Sequence, residues 1–413
     1  MGLCAARGTM ELRRFLFLQG PPGPFFALLA ERLRREGCET LRVNLNGGDA
    51  ADWPGTATAW RGRAEDWSAF VRAFMADRGV TDLLVFGDCR PLHLAAHGEA
   101  ARLGIRIHVL EEGYVRPHWM TLERDGVNGR SRLPQDPAAI RALARDLPSL
   151  PQGLPPVTAS FGRRLRDTLR HYTHAVLRAP AYPFHRSHRP GLLALEALAW
   201  ARKLLLARRN RRRAERVLRR TEPGSYFLFP LQLGSDYQIR AHSPFASMEA
   251  AAEEVIASFA RTAPSDARLL VKEHPLDTRW RSWRTALARM AGRHGVAGRV
   301  THLSGGDLAT LAAGSRGVVV VNSTSATFAL DAGVPVAVLG SAVYAIPGLV
   351  HRGPLDAFWR APVPPDMELW AALLRVLHAR CLVRGGIASR SAVEMLVDNV
   401  TARLLAASPK VPA

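Results

Sequence analysis

The chain has 413 residues, 47% of them hydrophobic and 22% charged, which is enough apolar material for a packed core and excludes a disordered polymer or a fibre. Lysine and arginine number 56 against 36 acidic residues, a formal net charge of +20, and such a field calls for an anionic partner: a nucleic acid, a membrane surface or a phosphorylated substrate. Only Lys203, Lys272 and Lys410 are lysines. Codon usage that favours arginine and alanine explains that choice of residue but not its placement. Residues 161–220 carry 17 basic against three acidic side chains, +14 of the +20; the remainder of the chain is close to an ordinary enzyme in charge.

Cys4, Cys38, Cys89 and Cys381 stand far apart with no CxxC pair, which argues against a zinc site or a disulfide framework and suits a reducing cytoplasm. The N-terminal apolar run FLFL is too short for a signal peptide, and no stretch reaches the roughly 18–20 apolar residues that span a bilayer. Residues 192–207 come closest, interrupted by Glu196, Arg202 and Lys203. Residues 1–9 carry no pattern, so Met1 and Met10 both stand as possible starts.

In chain order, RFLFLQ (14–19) reads as a buried strand running into Gly20-Pro21-Pro22-Gly23-Pro24 and a helix, FFALLAERLRREG, that ends at Gly37. Strands follow at 41–46, 82–87 and 105–113, with a helix around 67–75. Strands alternating with helices indicate a parallel sheet with crossover connections. Residues 10–155 are therefore expected to form a Rossmann-like domain. Residues 156–222 show no strand pattern; the run RRNRRRAERVLRR fits either a membrane-surface element or a solvated basic linker. Alternation returns over 223–413, with strands at 225–232, 268–274, 299–304, 317–323 and 335–340 and mostly helical sequence at the end. The expected fold class is α/β, GT-B-like: two doubly wound domains facing a cleft, with the basic helical segment between them.

In an open parallel sheet the residues just after a strand line the ligand crevice. Glu111-Glu112-Gly113 follows one strand; adjacent carboxylates there would repel one another and raise one pKa into the range of a general base, although a solvated acidic turn also fits. Lys272-Glu273-His274-Pro275 follows a second, with the proline restricting His274 to extended backbone; such a histidine can bind phosphate or protonate a leaving group, or be purely structural. Asn322-Ser323-Thr324-Ser325 opens a helix, where hydroxyls and unpaired backbone N–H groups favour an anion, or simply cap the helix. Gln232-Leu233-Gly234-Ser235-Asp236 follows a fourth strand, and Asp236 is a candidate nucleophile or sugar-hydroxyl acceptor. Gly20-Pro21-Pro22-Gly23 is neither GxGxxG nor a P-loop, and HExxH, DxD and clustered Cys/His are absent from the sequence, so redox cofactors, P-loop hydrolysis and a metal are not expected. The sequence also lacks RNP-like, zinc-finger and helix-turn-helix patterns, which speaks against nucleic acid.

Seven stretches in order, FLFLQGPPGPFF, RVNLNGGD, DLLVFGDCRP, HVLEEGYVRPHWMTLERDGVNG, FLFPLQLGSDYQIRAHSPF, VKEHPLD and VNSTSATFALDAGVPVAVLGSAVYAIPGL, resemble the bacterial capsule polysaccharide biosynthesis and export proteins that act as Kdo transferases. The likeness is nearest to the type that places the first β-Kdo on a phosphatidylglycerol acceptor. The resemblance implies a retaining enzyme using CMP-β-Kdo, with no metal. In it the acidic motif (Glu111, Glu112, Gly113) handles the acceptor proton, while the His-Pro motif (His274, Pro275) and the Ser/Thr motif (Ser323, Thr324, Ser325) hold the CMP portion. Lys272, Gln232, Ser235 and Asn322 are the accompanying donor-side candidates, and Asp236 is the position for a covalent Kdo-aspartate. An anionic lipid acceptor would give the basic segment a purpose, localising the protein to the inner face of the cytoplasmic membrane beside other capsule export proteins. Two other readings remain: a sialyl or other CMP-sugar transferase on the same scaffold, and a non-catalytic capsule export or polymer-binding protein.

Overall fold

The computed structural model describes residues 12–151, 153–186, 193–233, 237–277 and 282–406. Its strands are β1 (Arg14–Phe17), β2 (Glu39–Asn44), β3 (Thr58–Ala59), β4 (Asp82–Phe86), β5 (Arg106–Glu112) and β6 (Trp119–Arg124), then β7 (Tyr226–Pro230), β8 (Arg268–Lys272), β9 (Val300–Leu303), β10 (Gly317–Val320), β11 (Val336–Val338) and β12 (Leu382–Arg384). Seven helices precede β7: α1 (Phe25–Arg35), α2 (Gly47–Asp52), α3 (Trp67–Asp77), α4 (Pro91–Arg102), α5 (Pro137–Ala144), α6 (Phe161–Leu177) and α7 (Leu193–Leu218). The others are α8 (Tyr237–His242), α9 (Met248–Thr262), α10 (Trp283–Arg293), α11 (Leu308–Ala313), α12 (Ala326–Asp331), α13 (Leu355–Arg360), α14 (Met367–Arg380) and α15 (Arg390–Leu405).

The chain folds as two α/β units. The first comprises Met1–Arg132, Pro151–Arg186 and Arg380–Ala413; the second comprises Leu133–Leu150 and Ser187–Ala379. Both are Rossmann-like, the domain type from which GT-B-like proteins are built. The first sheet has the order β12-β6-β5-β4-β1-β2-β3. Its five strands β1 to β5 are parallel, and β6 and β12 add an antiparallel edge. The second sheet, β11-β10-β7-β8-β9, is parallel throughout. Runs such as RFLF, DLLVF, YFLFP and GVVV form these strands because a sheet covered on both faces buries successive side chains in opposite directions and therefore selects continuous apolar sequence.

In the first unit Phe15 and Phe17 meet Phe25, Phe26, Leu29 and Leu33 of α1, together with Val393, Leu396, Val397 and Val400 of α15. In the second, Phe227 and Phe259 pack edge-on against Trp359, with ring centroids 4.9 and 5.3 Å apart, and Trp283, Val255 and Ile256 complete the same core. Each such large side chain withdrawn from water contributes about 1.5–3 kcal/mol before ordering costs.

The division differs from the expected 10–155, 156–222 and 223–413. Residues 133–150 belong to the second unit, where Ile140 and Ala144 are buried and Arg141 pairs with Asp366 at 2.5 Å. The basic segment is not one element: α6 packs on α2 of the first unit, whereas α7 belongs to the second. The chain's end returns to the first unit, because β12 pairs with β6 and the apolar face of α15 covers α1.

A buried charge cluster fixes β1, β4 and β5 at the N-terminal edge of the first sheet. Asp82 is fully buried and accepts from Arg106 Nε and Nη2 at 2.9 and 2.8 Å, from Arg13 Nε at 3.1 Å and from Thr81 at 2.7 Å. His108 Nε2 lies 2.8 Å from the same carboxylate.

Candidate functional site

Each sheet reverses its strand order at one point, and there the strand ends diverge and leave a crevice. In the second unit the reversal lies between β7 and β10. Gln232, just beyond β7, and Asn322, just beyond β10, are both buried and close it reciprocally: Gln232 Nε2 donates to Asn322 Oδ1 at 2.8 Å, and Asn322 N donates to Gln232 Oε1 at 3.2 Å. These two predicted donor-side residues thus form one bridge across the switch point. The following turn is held by its hydroxyls: Ser325 Oγ donates to Ser323 Oγ at 2.8 Å, Thr327 Oγ1 donates to the Thr324 carbonyl at 2.8 Å, and the buried Tyr344 hydroxyl donates to the Ser323 carbonyl. Burial pushes the Tyr344 phenol up, so it stays a neutral donor. Ser325 occupies the N-cap of α12, but its side chain does not cap the helix; its hydroxyl is spent within the turn.

On the neighbouring strand, Lys272 ends β8 and is buried. Burial lowers its pKa, opposed by Asp307 and Glu273 and reinforced by the charge of Lys203. His274 Nδ1 accepts from Leu276 N at 3.1 Å, so in the neutral ring the hydrogen sits on Nε2, which can donate to an anion. Pro275 is exposed beside it. Lys203, on α7, was not singled out by the sequence reading. Its Nζ donates to the Asp277 carbonyl at 2.5 Å and lies 3.6 Å from Glu273. Burial works to raise the Glu273 pKa, yet hydrogen bonds from His302 and Lys203 bring it below the usual value. The available signal was composition: in a chain that otherwise uses arginine, both described lysines stand at the end of β8. Ser235 and Asp236 lie outside the described residues.

In the first unit the reversal lies between β1 and β4, and a hydrogen bond crosses it: Gln19, just past β1, accepts from Nη1 of Arg90, past β4, at 2.8 Å. Asp88, just past β4, is buried, accepting from Val127 N at 3.3 Å and lying 3.7 Å from Arg130. Sequence reading placed Gln19 and Asp88 in their motifs without assigning them a role, although both follow an apolar strand directly.

The acidic motif lies one strand away. Glu111 and Glu112 do not form a turn after β5; they are its last two residues, paired antiparallel with Thr121 and Met120 of β6. Consecutive strand residues point to opposite faces, so the expected mutual repulsion has no geometric basis. Glu112 is engaged at both oxygens, Oε2 with Arg116 at 2.8 Å and Oε1 with Arg164 at 3.5 Å. Glu111 Oε2 accepts from Asn128 Nδ2 at 2.8 Å. Asn128, in the left-handed region at φ 54°, donates its backbone N–H to the Tyr114 hydroxyl at 2.6 Å, and that hydroxyl donates to buried Glu123. Burial pushes both Tyr114 and Glu123 up, although hydrogen bonds from Ser131 and Tyr114 to Glu123 act against it. Asn128 therefore orients Glu111 from a rigid buried support, a role that only the three-dimensional return of residues 114–131 discloses.

Gly113 has a steric reason: a Cβ there would lie 2.2 Å from the Trp119 carbonyl oxygen. Gly113→Ala is expected to displace the 113–119 turn and cost about 2–4 kcal/mol, read as a lower midpoint in denaturant unfolding; an unchanged midpoint would show that the turn relaxes freely.

Two mainly parallel α/β units, each with polar side chains gathered at its strand-order reversal, define the class of protein by its fold: Rossmann-like units with their candidate residues at the strand ends. Sequence comparison places it further: residues 81–387 match the model of the family described as capsule polysaccharide biosynthesis protein, and the chain belongs to that family. The chain is 34% identical over 370 residues to the capsule polysaccharide export protein KpsS of Escherichia coli, spanning 87% of this chain and 92% of that one. It is 32% identical over 376 residues to the capsule polysaccharide modification protein LipB of Neisseria meningitidis serogroup A, spanning 88% of each. Among solved structures it is similar to Thermosulfurimonas dismutans KpsC, a β-Kdo 2,7 transferase, with a TM-score of 0.42 and 16% identity over 94% of this chain and 99% of that one.

Proposed function

We propose that the protein is a retaining glycosyltransferase that moves β-Kdo from CMP-β-Kdo to a phosphatidylglycerol-type lipid, starting the linker of a capsular polysaccharide. The reading is carried by the second unit's switch point: Gln232 and Asn322 bridge it, the Ser323–Ser325 turn follows, and Lys272 and His274 end the next strand, in a chain of a capsule-synthesis family. A CMP leaving group develops charge on one phosphate. Backbone N–H groups of the turn, an ammonium and a histidine Nε2–H would supply that stabilisation without a metal, while the Ser325 hydroxyl holds the turn in shape.

Retention requires two displacements. In the first, a carboxylate, for which Asp236 is our candidate, attacks the anomeric carbon as the bond to the phosphate oxygen breaks and CMP departs with the electron pair. In the second, the lipid hydroxyl attacks the same carbon, the carboxylate leaves, and the hydroxyl proton passes to an acidic-motif carboxylate. Glu111 is our candidate for the second step, because Asn128 orients its carboxylate from the buried Tyr114–Glu123 pair, whereas Glu112 pairs with two guanidinium groups.

No helix among the described residues is long and apolar enough to cross a membrane; in this reading the lipid acceptor is met at the inner face of the cytoplasmic membrane. Purified protein incubated with CMP-Kdo and a fluorescent phosphatidylglycerol analogue is expected to give a product one sugar heavier by mass. CMP release beyond one equivalent per enzyme should require the acceptor and survive EDTA. Preference for CMP-sialic acid would move the protein to the sialyltransferase reading, and tight salt-sensitive polymer binding without CMP release would make it a binding protein.

A further inference from the structure

A surface helix normally turns its apolar stripe to the core; α6 does the opposite. Taken at 100° per residue, Phe161, Leu165, Leu169 and Val176 fall on one face, and all four are exposed, at 66, 44, 58 and 53%, with Leu177 at 68% beside them. The inward face is polar. His171, the helix's one buried residue, holds Asp52 at 2.7 Å, Asp167 lies 3.6 Å from Arg163, and Arg164 reaches Glu112.

This orientation is fixed. A Cβ on Gly47 would lie 2.4 Å from the His174 carbonyl oxygen, and one on Gly48 would lie 2.6 Å from that of His171, so the two glycines allow α2 and α6 to meet backbone to backbone. Ser160 caps the helix, its Oγ accepting from Arg163 N at 3.3 Å. The outward stripe is thus rigidly presented. Arg166 and Arg170 are exposed on its border, whereas Arg178, whose Cβ faces Gly47, starts from the inward side.

We propose that the outward face of α6 is the surface by which the protein sits on an anionic bilayer, with Phe161, Leu165, Leu169 and Val176 entering the headgroup boundary and Arg166 and Arg170 meeting lipid phosphates. An apolar stripe bordered by arginines is the chemistry of an interfacial helix. It fits a negatively charged lipid surface better than a second copy of this chain, which would bring the same positive charge against itself. The arginine run of α7, which the sequence leaves open as a membrane-surface element or a solvated basic linker, is a solvated charge run, suited to long-range attraction. The proposal extends the lipid-acceptor reading, but it is measured without turnover.

The full chain is mixed with vesicles of phosphatidylcholine alone, or with an equal part of phosphatidylglycerol, and sedimented. Wild type is expected to bind the anionic vesicles, and Leu165→Gln/Leu169→Gln to lose on the order of tenfold in affinity or more with an unchanged unfolding midpoint, since neither side chain is buried. In Leu169→Trp the new indole should shift to shorter emission wavelength on vesicle addition. Turnover of a water-soluble short-chain acceptor should be unaffected in the double variant while turnover of vesicle-embedded acceptor falls. The lipid-acceptor reading fails separately, if neither form of acceptor is used. Undiminished vesicle binding by the double variant, or no indole shift, overturns the proposal. So does loss of binding confined to Arg208→Gln/Arg209→Gln/Arg212→Gln, or a concentration-dependent dimer, seen by light scattering, that the double variant abolishes without affecting vesicle binding.

Discussion

Glu111→Gln is expected to reduce acceptor-dependent CMP release by about 10²–10⁴-fold, the usual worth of a positioned general base, while donor binding stays within a few-fold of wild type. The substitution keeps the size and the acceptor oxygen that receives Asn128 Nδ2 at 2.8 Å, so lost activity would report lost proton transfer and not a collapsed strand. Glu112→Gln removes a partner from Arg116 and Arg164, a partly exposed pair of contacts, and is expected to cost no more than about tenfold. Asn128→Ala should fall between the two, at about 10–100-fold, because it removes one hydrogen bond to a charged group. Steady-state rates for the three variants decide the assignment. Near wild-type turnover in Glu111→Gln together with collapse in Glu112→Gln would transfer the base to Glu112, and full activity in both would remove the acidic motif from the chemistry.

Asp82→Asn is expected to destabilise the first unit by about 1–3 kcal/mol, since the buried carboxylate loses its charge-assisted hydrogen bonds to Arg13 and Arg106, whose own side chains keep contact with water. Burial alone would raise the Asp82 pKa, but hydrogen bonds from His108, Arg106, Arg13 and Thr81 hold it well below the ordinary carboxylate range. A carboxylate depressed in the folded state contributes stability that is present above its unfolded pKa of about 3.9 and is lost as pH falls below it. His108 adds a second limb. Burial lowers its pKa despite its bond to Asp82, so the unfolded state takes up the proton first, and stability declines as pH falls through about 6.5. Denaturant midpoints measured from pH 7 to pH 3 should therefore fall in two stages in wild type, with the stage below pH 4 shrunken in Asp82→Asn. An unchanged midpoint at neutral pH would mean that the cluster relaxes or takes up water at little cost.

Much of the architecture was legible because parallel strands declare themselves. Buried on both faces, RFLF, DLLVF, YFLFP and GVVV have no polar alternation to confuse them with surface segments. The donor-side candidates were legible for a related reason: in such sheets polar residues gather where the apolar run stops, and Gln232, Lys272, His274 and Asn322 all stand at or just past those ends. What was misread depended on antiparallel pairing. The acidic pair was expected to sit side by side at the strand end with mutual repulsion, yet β6 pairs with β5 through Glu112, and strand geometry sends the two carboxylates to opposite faces. The three-residue β12 carries too little pattern to be seen before its partner is known.

By itself the sequence determined the two-domain α/β character, the family, the positions of the candidate residues and the concentration of charge in residues 161–220, because each is a property of local pattern: apolar runs, their polar ends, and composition. Only the tertiary structure decided which residues share a unit, that Gln232 and Asn322 form one bridge, that Glu111 and Glu112 point apart, and that α6 presents its apolar stripe outward. Those depend on contacts between residues distant in the chain, such as Gly47 and Gly48 against the backbone of α6: an amphipathic pattern by itself points the apolar face inward, and only the neighbouring element reverses it in α6.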